Sequence, residues 1–162
     1  MRRLCLVVCL CLCFFFSACS QQNAASQMPA APFEAELQWQ ACGIAFQAKL
    51  VMQARGEGTC APATLTFYAP RELAGTMLSR DATGNVTMTY GDVTLCDVGG
   101  VGVLLLSVFP EAKEAQRATV NVAGNTVVLF EQTEIEFSGD GVPLFIKNDD
   151  VQAQIVSFKC ID

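Results

Sequence analysis

The sequence contains no histidine, and it has one tryptophan and two tyrosines among its 162 residues. Without histidine the chain cannot build a Ser–His–Asp triad, a His-ligated zinc site or a c-type haem attachment motif. Charge is also sparse, and the chain beyond residue 18 carries 8 basic and 16 acidic side chains, a net charge of −8. Such an acidic chain does not suit nucleic acid, because Lys and Arg supply most of the binding to phosphates.

The first 18 residues have the pattern of an export signal. Two arginines precede an uncharged apolar run of 13 residues, 4–16. A membrane-spanning helix takes about 20 apolar residues, so this run has the length of a signal-peptide core. Residues 16–19 (FSAC) resemble the lipobox of bacterial lipoproteins, in which small residues precede the cysteine that receives the lipid. That family usually has Leu where this chain has Phe16.

The resemblance implies that residues 1–18 are a lipoprotein signal peptide and that Cys19 carries diacylglycerol and palmitate. Residues 20–32 have no charge and a composition typical of a flexible tether, with an r.m.s. span of about 20 Å. We therefore expect lipid anchoring at the extracytoplasmic face of a bacterial cell membrane, with residues 33–162 as a single folded domain. An ordinary secretory signal with an incidental Cys19, and a permanent transmembrane anchor, are the alternatives.

From residue 33 onward, apolar and polar residues alternate, which predicts strands with one face on a core and one in water. Residues 101–109 are almost continuously apolar, and 110–115 begin with Pro and an acidic residue, which predicts two short helices. The fold class is therefore mainly β, one antiparallel sheet with a helical interruption. The predicted strands are 33–40, 44–54, 63–68, 73–80, 86–90, 93–96, 120–122, 126–132, 134–138, 142–147 and 151–158.

Four segments of the chain together resemble a known family: residues 33–37 (FEAEL), 67–75 (FYAPRELAG), 84–92 (GNVTMTYGD) and 139–144 (GDGVPL). In order and spacing, over residues 33–158, they are similar to small bacterial lipoproteins with the half-barrel fold of the lipoprotein carrier and receptor proteins, the LolA/LolB-like fold. The resemblance implies a curved sheet whose concave face is closed by one or two short helices over an apolar cavity. In the carriers that cavity holds lipid acyl chains. This chain departs from the carriers in its own lipid anchor and its acidic body.

The inward positions of the strands are the candidate lining of such a cavity. Met and aromatic residues are common in pliable apolar sites, but a row of them is more often plain core. A void above this row would favour a bound lipid or another hydrophobic ligand. A solid core would favour a surface protein-interaction or cell-envelope structural module. Besides Phe33 and Leu37, the row contains the candidate lining residues Trp39, Phe46, Leu50, Met52, Phe67, Met77 and Met88.

Four cysteines follow the lipobox: Cys42, Cys60, Cys96 and Cys160. An even number in an exported domain favours disulfides. If residues 44–54 form one straight strand, Cys42 and Cys60 lie too far apart to bond, so Cys42 pairs with Cys96 or Cys160 and Cys60 with the other. Four reduced thiols are the alternative. The sequence has no Cys-x-x-Cys, so neither a redox site nor a zinc site is expected.

No catalytic constellation is visible in the sequence. The glutamates at 34, 36, 131, 134 and 136 alternate with apolar residues, which is typical of the water-facing side of strands. No nucleophile has an evident partner base. We therefore expect a protein that is not an enzyme and uses neither a metal nor a cofactor; an anchored hydrolase would need residues that the sequence does not offer.

Lipidation of Cys19 can be measured directly. We expect mass spectrometry of the membrane-extracted protein to show an acylated N-terminal peptide beginning CSQQNAAS. Cys19→Ser should leave the precursor unprocessed or release the protein to the medium. Cys13→Ser is the matched control, because Cys13 follows Leu12, and it should be processed normally. An unmodified Cys19, or another mature N-terminus, would contradict the prediction.

Overall fold

The computed structural model describes residues 32–41, 43–57, 59–98, 117–130, 132–149 and 151–161. These ranges contain 11 strands and a short 3₁₀ helix, Arg71–Leu73. The strands are β1 (Phe33–Ala41), β2 (Ile44–Met52), β3 (Ala63–Ala69), β4 (Met77–Arg80), β5 (Val86–Tyr90), β6 (Val93–Leu95), β7 (Arg117–Val120), β8 (Thr126–Phe130), β9 (Thr133–Phe137), β10 (Pro143–Lys147) and β11 (Gln152–Cys160).

All these strands belong to one antiparallel sheet with the order β6-β5-β4-β3-β2-β1-β11-β10-β9-β8-β7. The chain therefore forms two meanders, β1–β6 and β7–β11, which the pairing of β1 with β11 joins into one sheet. In that pairing Phe33 lies opposite Cys160, and Trp39 lies opposite Ala153. The sheet is open, because β6 and β7 lie at its two ends. The predicted fold class, mainly β with one antiparallel sheet of the half-barrel type, is confirmed.

The period-two pattern of the sequence gives the sheet two different faces. In β1, Ala35, Leu37 and Trp39 are buried, whereas Glu36 and Gln38 between them are exposed. Successive side chains of a strand point to opposite faces, so the buried apolar side chains gather on one side of the sheet. We call the buried side the inner face and the other side the outer face. Burial of the inner face stabilises the fold by about 25 cal/mol per Å² of apolar surface.

Two β-bulges flank the central β1–β2 hairpin at the same level. Opposite β1, strand β11 carries Val156 as an extra residue, and opposite β2, strand β3 carries Tyr68 as an extra residue. The registers slip at Leu37 and Ala48, which face each other in the hairpin. Both extra side chains are exposed. An added residue bends its strand and increases its twist, so the paired bulges favour curvature at the centre of the sheet.

Three hairpin turns, 81–85, 121–125 and 138–142, share one backbone geometry. The N–H of the first residue donates to the carbonyl of the fifth, and the N–H of the fourth donates to the carbonyl of the first. The fourth residue is Gly84, Gly124 or Gly141, with φ of +92°, +84° and +79°. Glycine reaches this left-handed region without steric cost, which is why the turns recur with Gly at that position.

The 81–85 and 121–125 turns are further held by a side chain at their first position. Asp81 Oδ1 accepts hydrogen bonds from the backbone N–H groups of Thr83 and Asn85, at 2.8 and 3.0 Å. Asn121 Oδ1 accepts the corresponding bonds from Ala123 and Asn125, at 2.9 and 3.0 Å. Short polar side chains stabilise turns in this way, which explains why Asp and Asn begin them.

The predicted strand 73–80 is wrong in its first half. Residues 71–73 form the 3₁₀ helix, and the chain returns through a turn in which the Phe67 N–H donates to the Thr76 carbonyl at 2.9 Å. Strand β4 therefore begins at Met77. Pro70 initiates this reversal. The apolar residues that follow Pro70 belong to the 3₁₀ helix and the turn, although their pattern in the sequence resembles that of a strand.

Two smaller differences concern turns. Val122, predicted to lie in a strand, is fully exposed within the 121–125 turn. Gly91 and Asp92 form the two-residue turn between β5 and β6 rather than a kink, and Gly91 has φ of +57°. The two helices predicted over 101–115 lie outside the described residues.

The Asp81 turn predicts an acid-dependent contribution to stability. Hydrogen bonds from Thr83, and then from Asn85, lower the pKa of Asp81 below its ordinary value of 3.8. A lowered pKa in the folded state gives stability that is present above the ordinary value and lost as pH falls through the folded-state value. Asn keeps the accepting oxygen but cannot titrate. Asp81→Asn should therefore match the parent near neutral pH and lose less stability between about pH 5 and pH 2, as measured by urea midpoints.

Asp140→Asn is the control, since it removes an exposed carboxylate from the 138–142 turn. We expect its urea midpoint to fall with acid as in the parent. An unchanged acid dependence in Asp81→Asn would mean that the Asp81 turn does not couple to unfolding.

Candidate ligand-binding face

Three aromatic side chains meet on the inner face near the turn between β1 and β2. Trp39 and Phe46 are partners in this hairpin, and their rings stack with centroids 5.3 Å apart and planes 9° apart. Phe67 of β3 meets Trp39 edge-on at 6.0 Å, because its own partner on β2 is the small Ala48. Such pairs add about 0.5–1.5 kcal/mol beyond the burial of their area, so the three rings make a rigid apolar end of the face.

A row of aliphatic side chains crosses the inner face from β1 to β6. Ala35 lies opposite Leu50 of β2, and Leu50 lies opposite Leu65 of β3. The row spans about 24 Å at the ordinary spacing of strands. Burial is complete at Leu50 and Leu65 and falls toward the edge of the sheet. Beyond Leu65 the row continues through Leu78, Met88 and Leu95.

A second row crosses the other half of the sheet and starts from Trp39. Its partner on β11 is Ala153, and from there each strand contributes one apolar side chain. All members between Trp39 and the edge strand β7 are buried. The inner face is therefore apolar across both meanders. The row runs through Ala153, Ile146, Ile135 and Val128 to Ala118.

The central strands carry alanine at buried inner positions: Ala35, Ala48, Ala63 and Ala153. Larger apolar side chains occupy the corresponding positions of β8 and β9, such as Val128 and Ile135. An alanine fills little volume above the backbone. Whatever covers the inner face can therefore come closest to the sheet at its centre, where the paired bulges also favour curvature.

The opposite end of the inner face combines two phenylalanines with an arginine. The rings of Phe33 and Phe158 lie 5.1 Å apart. Arg80, which pairs with Val86 and Ala63 across the strands, turns its guanidinium to the Ala61 carbonyl, with Nε at 3.2 Å and Nη2 at 2.9 Å. These hydrogen bonds satisfy a charged group that would otherwise be costly at the border of an apolar face.

The outer face is polar and carries the charges of the central strands. Lys49 Nζ lies 2.7 Å from Glu34 Oε2. The hydrogen bond from Lys49 lowers the pKa of Glu34, and the same contact raises the pKa of Lys49. A depression of about 190 Å³ on this face, between β9, β10 and β11, is lined by Glu134, Glu136, Phe145, Lys147 and Gln152. The glutamates that sequence analysis assigned to the solvent side, within the described ranges, lie on this face.

Two searches of the described residues gave negative results. No group of three or more His, Cys, Asp or Glu side chains in these ranges is placed to hold a metal ion. No helix within them is long and apolar enough to span a membrane.

The inner face contains six of the seven candidate lining residues. Met77 is the exception: it pairs with Thr66 and Thr89 on the outer face and is 38% exposed. Its assignment to the inward row was wrong, because the turn before β4 resets the alternation, and Leu78 is the inward residue, at 4% exposure. Whether the remaining six contact a ligand stays a prediction. They are Trp39, Phe46, Leu50, Met52, Phe67 and Met88.

Sequence reasoning missed the contribution of the second meander to this face. Its strands are five residues or shorter except β11, so each offers only two or three inward positions. The signal that could have found them is the repeated turn at 121–125 and 138–142, which sets the phase of the strands on either side. The missed inward residues are Val128, Phe130, Ile135, Phe137, Pro143 and Ile146.

The described cysteines are not paired with one another. Cys60, Cys96 and Cys160 are free thiols. Cys160 lies at the end of β11 beside Phe33, whereas Cys60 precedes β3, so β1 and β2 lie between them. Three strand spacings amount to about 14 Å, beyond the reach of about 7 Å for a disulfide. The structure therefore forms none of the predicted pairs among these three cysteines, and Cys42 lies outside the described residues.

Comparison with known proteins gives matches in structure only. No protein family and no curated protein matches the chain by sequence. An uncharacterized conserved protein from Thermus thermophilus superposes with a TM-score of 0.52 at 14% identity, over 88% of each chain. MucB gives a TM-score of 0.49 at 14% identity, and the alignment covers 90% of this chain and 60% of the MucB chain. A LolA superfamily protein from Nitrosomonas europaea gives a TM-score of 0.45 at 8% identity, and the alignment covers 87% of this chain and 91% of that protein. The Thermus match shows a shared fold and no more.

Adjacent alanine substitutions in β4 test which face each residue occupies. Leu78→Ala should lower the free energy of unfolding by about 2–5 kcal/mol, because it empties a buried position. Met77→Ala should change it by less than about 1 kcal/mol, since the side chain is largely in water. Urea denaturation of both variants measures the difference. Equal losses would contradict the assignment of Met77 to the outer face.

Proposed function

We propose that this chain is a lipid-anchored extracytoplasmic protein that holds an apolar ligand, such as a lipid acyl chain, against the inner face of its open sheet. Cys19 carries the anchor, and residues 20–32 form the tether. The proposal includes no catalysis and no cofactor.

The continuous apolar inner face is the observation that carries the proposal. One row of apolar side chains crosses from β1 to β6 and a second crosses from β1 to β7, and neither contains a charged residue. Glu34 and Lys49, by contrast, pair on the outer face. A curved apolar surface with a rigid aromatic end at Trp39 suits an extended hydrocarbon, which needs burial and no hydrogen bonds. The sequence resemblance to LolA/LolB-like half-barrels supports the same class of ligand.

The anchor and the sheet suit each other in this proposal. The tether would hold the domain within about 20 Å of the membrane surface. A protein at that distance meets apolar ligands where they are most concentrated, at the lipid bilayer. The negative charge of the chain beyond residue 18 supports a role that does not depend on binding anionic headgroups.

Complete burial of parts of the inner face favours a second function. Leu50, Leu65 and Ile135 have no exposed surface in the structure. If the whole face is packed to this degree, the sheet has a solid core, and the protein is a surface interaction module or a structural module of the cell envelope. The two functions differ in whether a hydrocarbon can enter beside Trp39 and Phe46.

Tryptophan fluorescence can distinguish the two functions, because Trp39 is the only tryptophan of the chain. A fatty acid brominated near its middle quenches tryptophan on contact. We expect saturable quenching of Trp39 in the full-length protein. Phe46 is half-buried and contacts Trp39. Phe46→Glu should raise the dissociation constant of the brominated fatty acid at least tenfold, because a carboxylate would lie in the path of its hydrocarbon chain.

Thr66→Glu is the matched control, because Thr66 lies opposite Lys49 on the outer face. It should bind the brominated fatty acid as the parent does. Leu50→Glu should also abolish quenching, provided that urea unfolding of the variant remains cooperative. If the parent shows no quenching and no lipid co-purifies in native mass spectrometry, the ligand-binding function is contradicted and the interaction or structural module with a solid core is favoured.

A further inference from the structure

The open sheet ends in two edge strands, β6 and β7, whose outer sides have no hydrogen-bonded neighbour in the described part of the chain. Unpaired backbone N–H and C=O groups at a sheet edge favour the addition of another strand, and proteins usually prevent this with charges, Pro or a bulge. The β6 edge has such protection, because the exposed Asp92 and Asp97 flank it. Asp97 also adopts a left-handed φ of +54°, which ends the extended path of the chain soon after β6.

The β7 edge lacks this protection. Its sequence, RATV, contains no Pro and no acidic residue, and its pairing with β8 has no bulge. Ala118 and Val120 are exposed, and both continue the inner face, since Ala118 lies opposite the buried Val128 of β8. The β7 edge therefore presents unpaired backbone and apolar side chains together.

The hydrogen bonds of the turn after β7 show which of its backbone groups point outward. The Asn121 N–H donates to the Asn125 carbonyl at 2.9 Å, so the backbone groups of Asn121 point toward β8. Consecutive residues of an antiparallel strand direct their N–H and C=O groups to alternate sides. Both groups of Val120 and of Ala118 therefore point to the open side of the edge, whereas those of Thr119 point toward β8.

Two β7 strands can pair antiparallel about a two-fold axis perpendicular to the sheet. This rotation reverses the strand direction, keeps the inner faces of both copies on the same side and brings like edges together. With the axis at Thr119, Ala118 of each copy lies opposite Val120 of the other, and Thr119 lies opposite itself. Ala118 and Val120 exchange their outward N–H···O bonds in two symmetric pairs, and the two Thr119 residues form the non-hydrogen-bonded pair between them. The register therefore uses all the outward backbone groups of β7.

Charge on the outer face favours the same register. Arg117 of each copy lies opposite Asn121 of the other. Within one copy, Asn121 Nδ2 donates to Glu136 Oε1 at 2.9 Å, and Asn125 Nδ2 donates to the same oxygen at 2.7 Å. The pairing therefore brings each Arg117 close to the Glu136 carboxylate of the other copy. Two paired β6 edges would instead bring the aspartates of both copies together.

We propose that the β7 edge binds a second copy of this chain, so that two sheets join at their β7 strands about a two-fold axis at Thr119. The interface is isologous, because both copies use the same edge, and association stops at the dimer. Strands of four residues bury little area, so the dimer is weak and its population depends on concentration. This inference does not depend on whether the inner face holds a ligand.

A charge at the two-fold position tests the interface. Thr119 is exposed on the outer face, so a lysine there should leave the fold of the monomer intact. In the dimer, Thr119→Lys places two lysines directly opposite each other, which destabilises strand pairing. We expect sedimentation of the full-length protein, in detergent with excess micelles, to show a parent dimer whose dissociation constant Thr119→Lys raises at least tenfold. Thr94→Lys, the same change on the β6 edge, is the matched control and should dimerise as the parent does.

Mixing oppositely charged variants gives the decisive result. An equal mixture of Thr119→Lys and Thr119→Glu places Lys opposite Glu only if position 119 faces itself. We expect the mixture to form 1:1 dimers at least tenfold more tightly than Thr119→Lys alone. A mixture that associates no better than Thr119→Lys would overturn the two-fold register. A parent that stays monomeric at millimolar concentration, or association that Thr94→Lys weakens, would overturn the whole proposal.

A cysteine cross-link reports the register separately. In a background with Ser at positions 42, 60, 96 and 160, Thr119→Cys should form an oxidised dimer. Opposite residues of a non-hydrogen-bonded pair have Cα atoms about 4.5 Å apart, which a disulfide can span. Thr94→Cys in the same background is the matched control and should cross-link at least tenfold more slowly, as should the background alone. Equal rates for the two cysteine variants would show that the β7 edges do not pair at Thr119.

Discussion

Removal of one apolar sheet face from water is the interaction on which this structure depends. Alternation in β1 and β2 gathers the apolar side chains on one side, but a flat sheet would leave so broad a face difficult to cover. The bulges at Val156 and Tyr68 add length on the outer side of the two strands that flank the central hairpin. The curvature that the bulges favour and the small alanines at the centre of the inner face both make this face easier to cover.

The first meander could be predicted from sequence because its strands β1 and β2 are long enough to show which residues point inward. Nine residues of β1 and nine of β2 give four or more inward positions each, so the period of two cannot be mistaken. Met77 shows where this reasoning fails. The alternation before and after Pro70 looks continuous in one dimension, but the 3₁₀ helix and the turn to Thr76 shift the phase by one residue. A slip of one residue moves a side chain to the other face.

The candidate site could be predicted only in part, since its continuity is a property of register. Trp39 and Phe67 are identifiable as inward residues from their own strands, but that their rings meet depends on the small Ala48 between them. The row through Ile146, Ile135 and Val128 joins Trp39 only because β1 pairs with β11, residues separated by most of the chain. Local patterns hold no information on that pairing. The structure supplies it.

The pairing of β1 with β11 also has a consequence for the order in which the chain can fold. Of the described strands, β1 comes first in the sequence and occupies the centre of the sheet, yet one of its two neighbours is β11, which comes last. Until residues 152–160 arrive, β1 remains an unsatisfied edge and the two meanders cannot share a core. Contacts this distant in sequence are slow to form. Until residues 152–160 have been synthesised, the nascent chain therefore lacks its complete sheet, and β1 can pair on one side only.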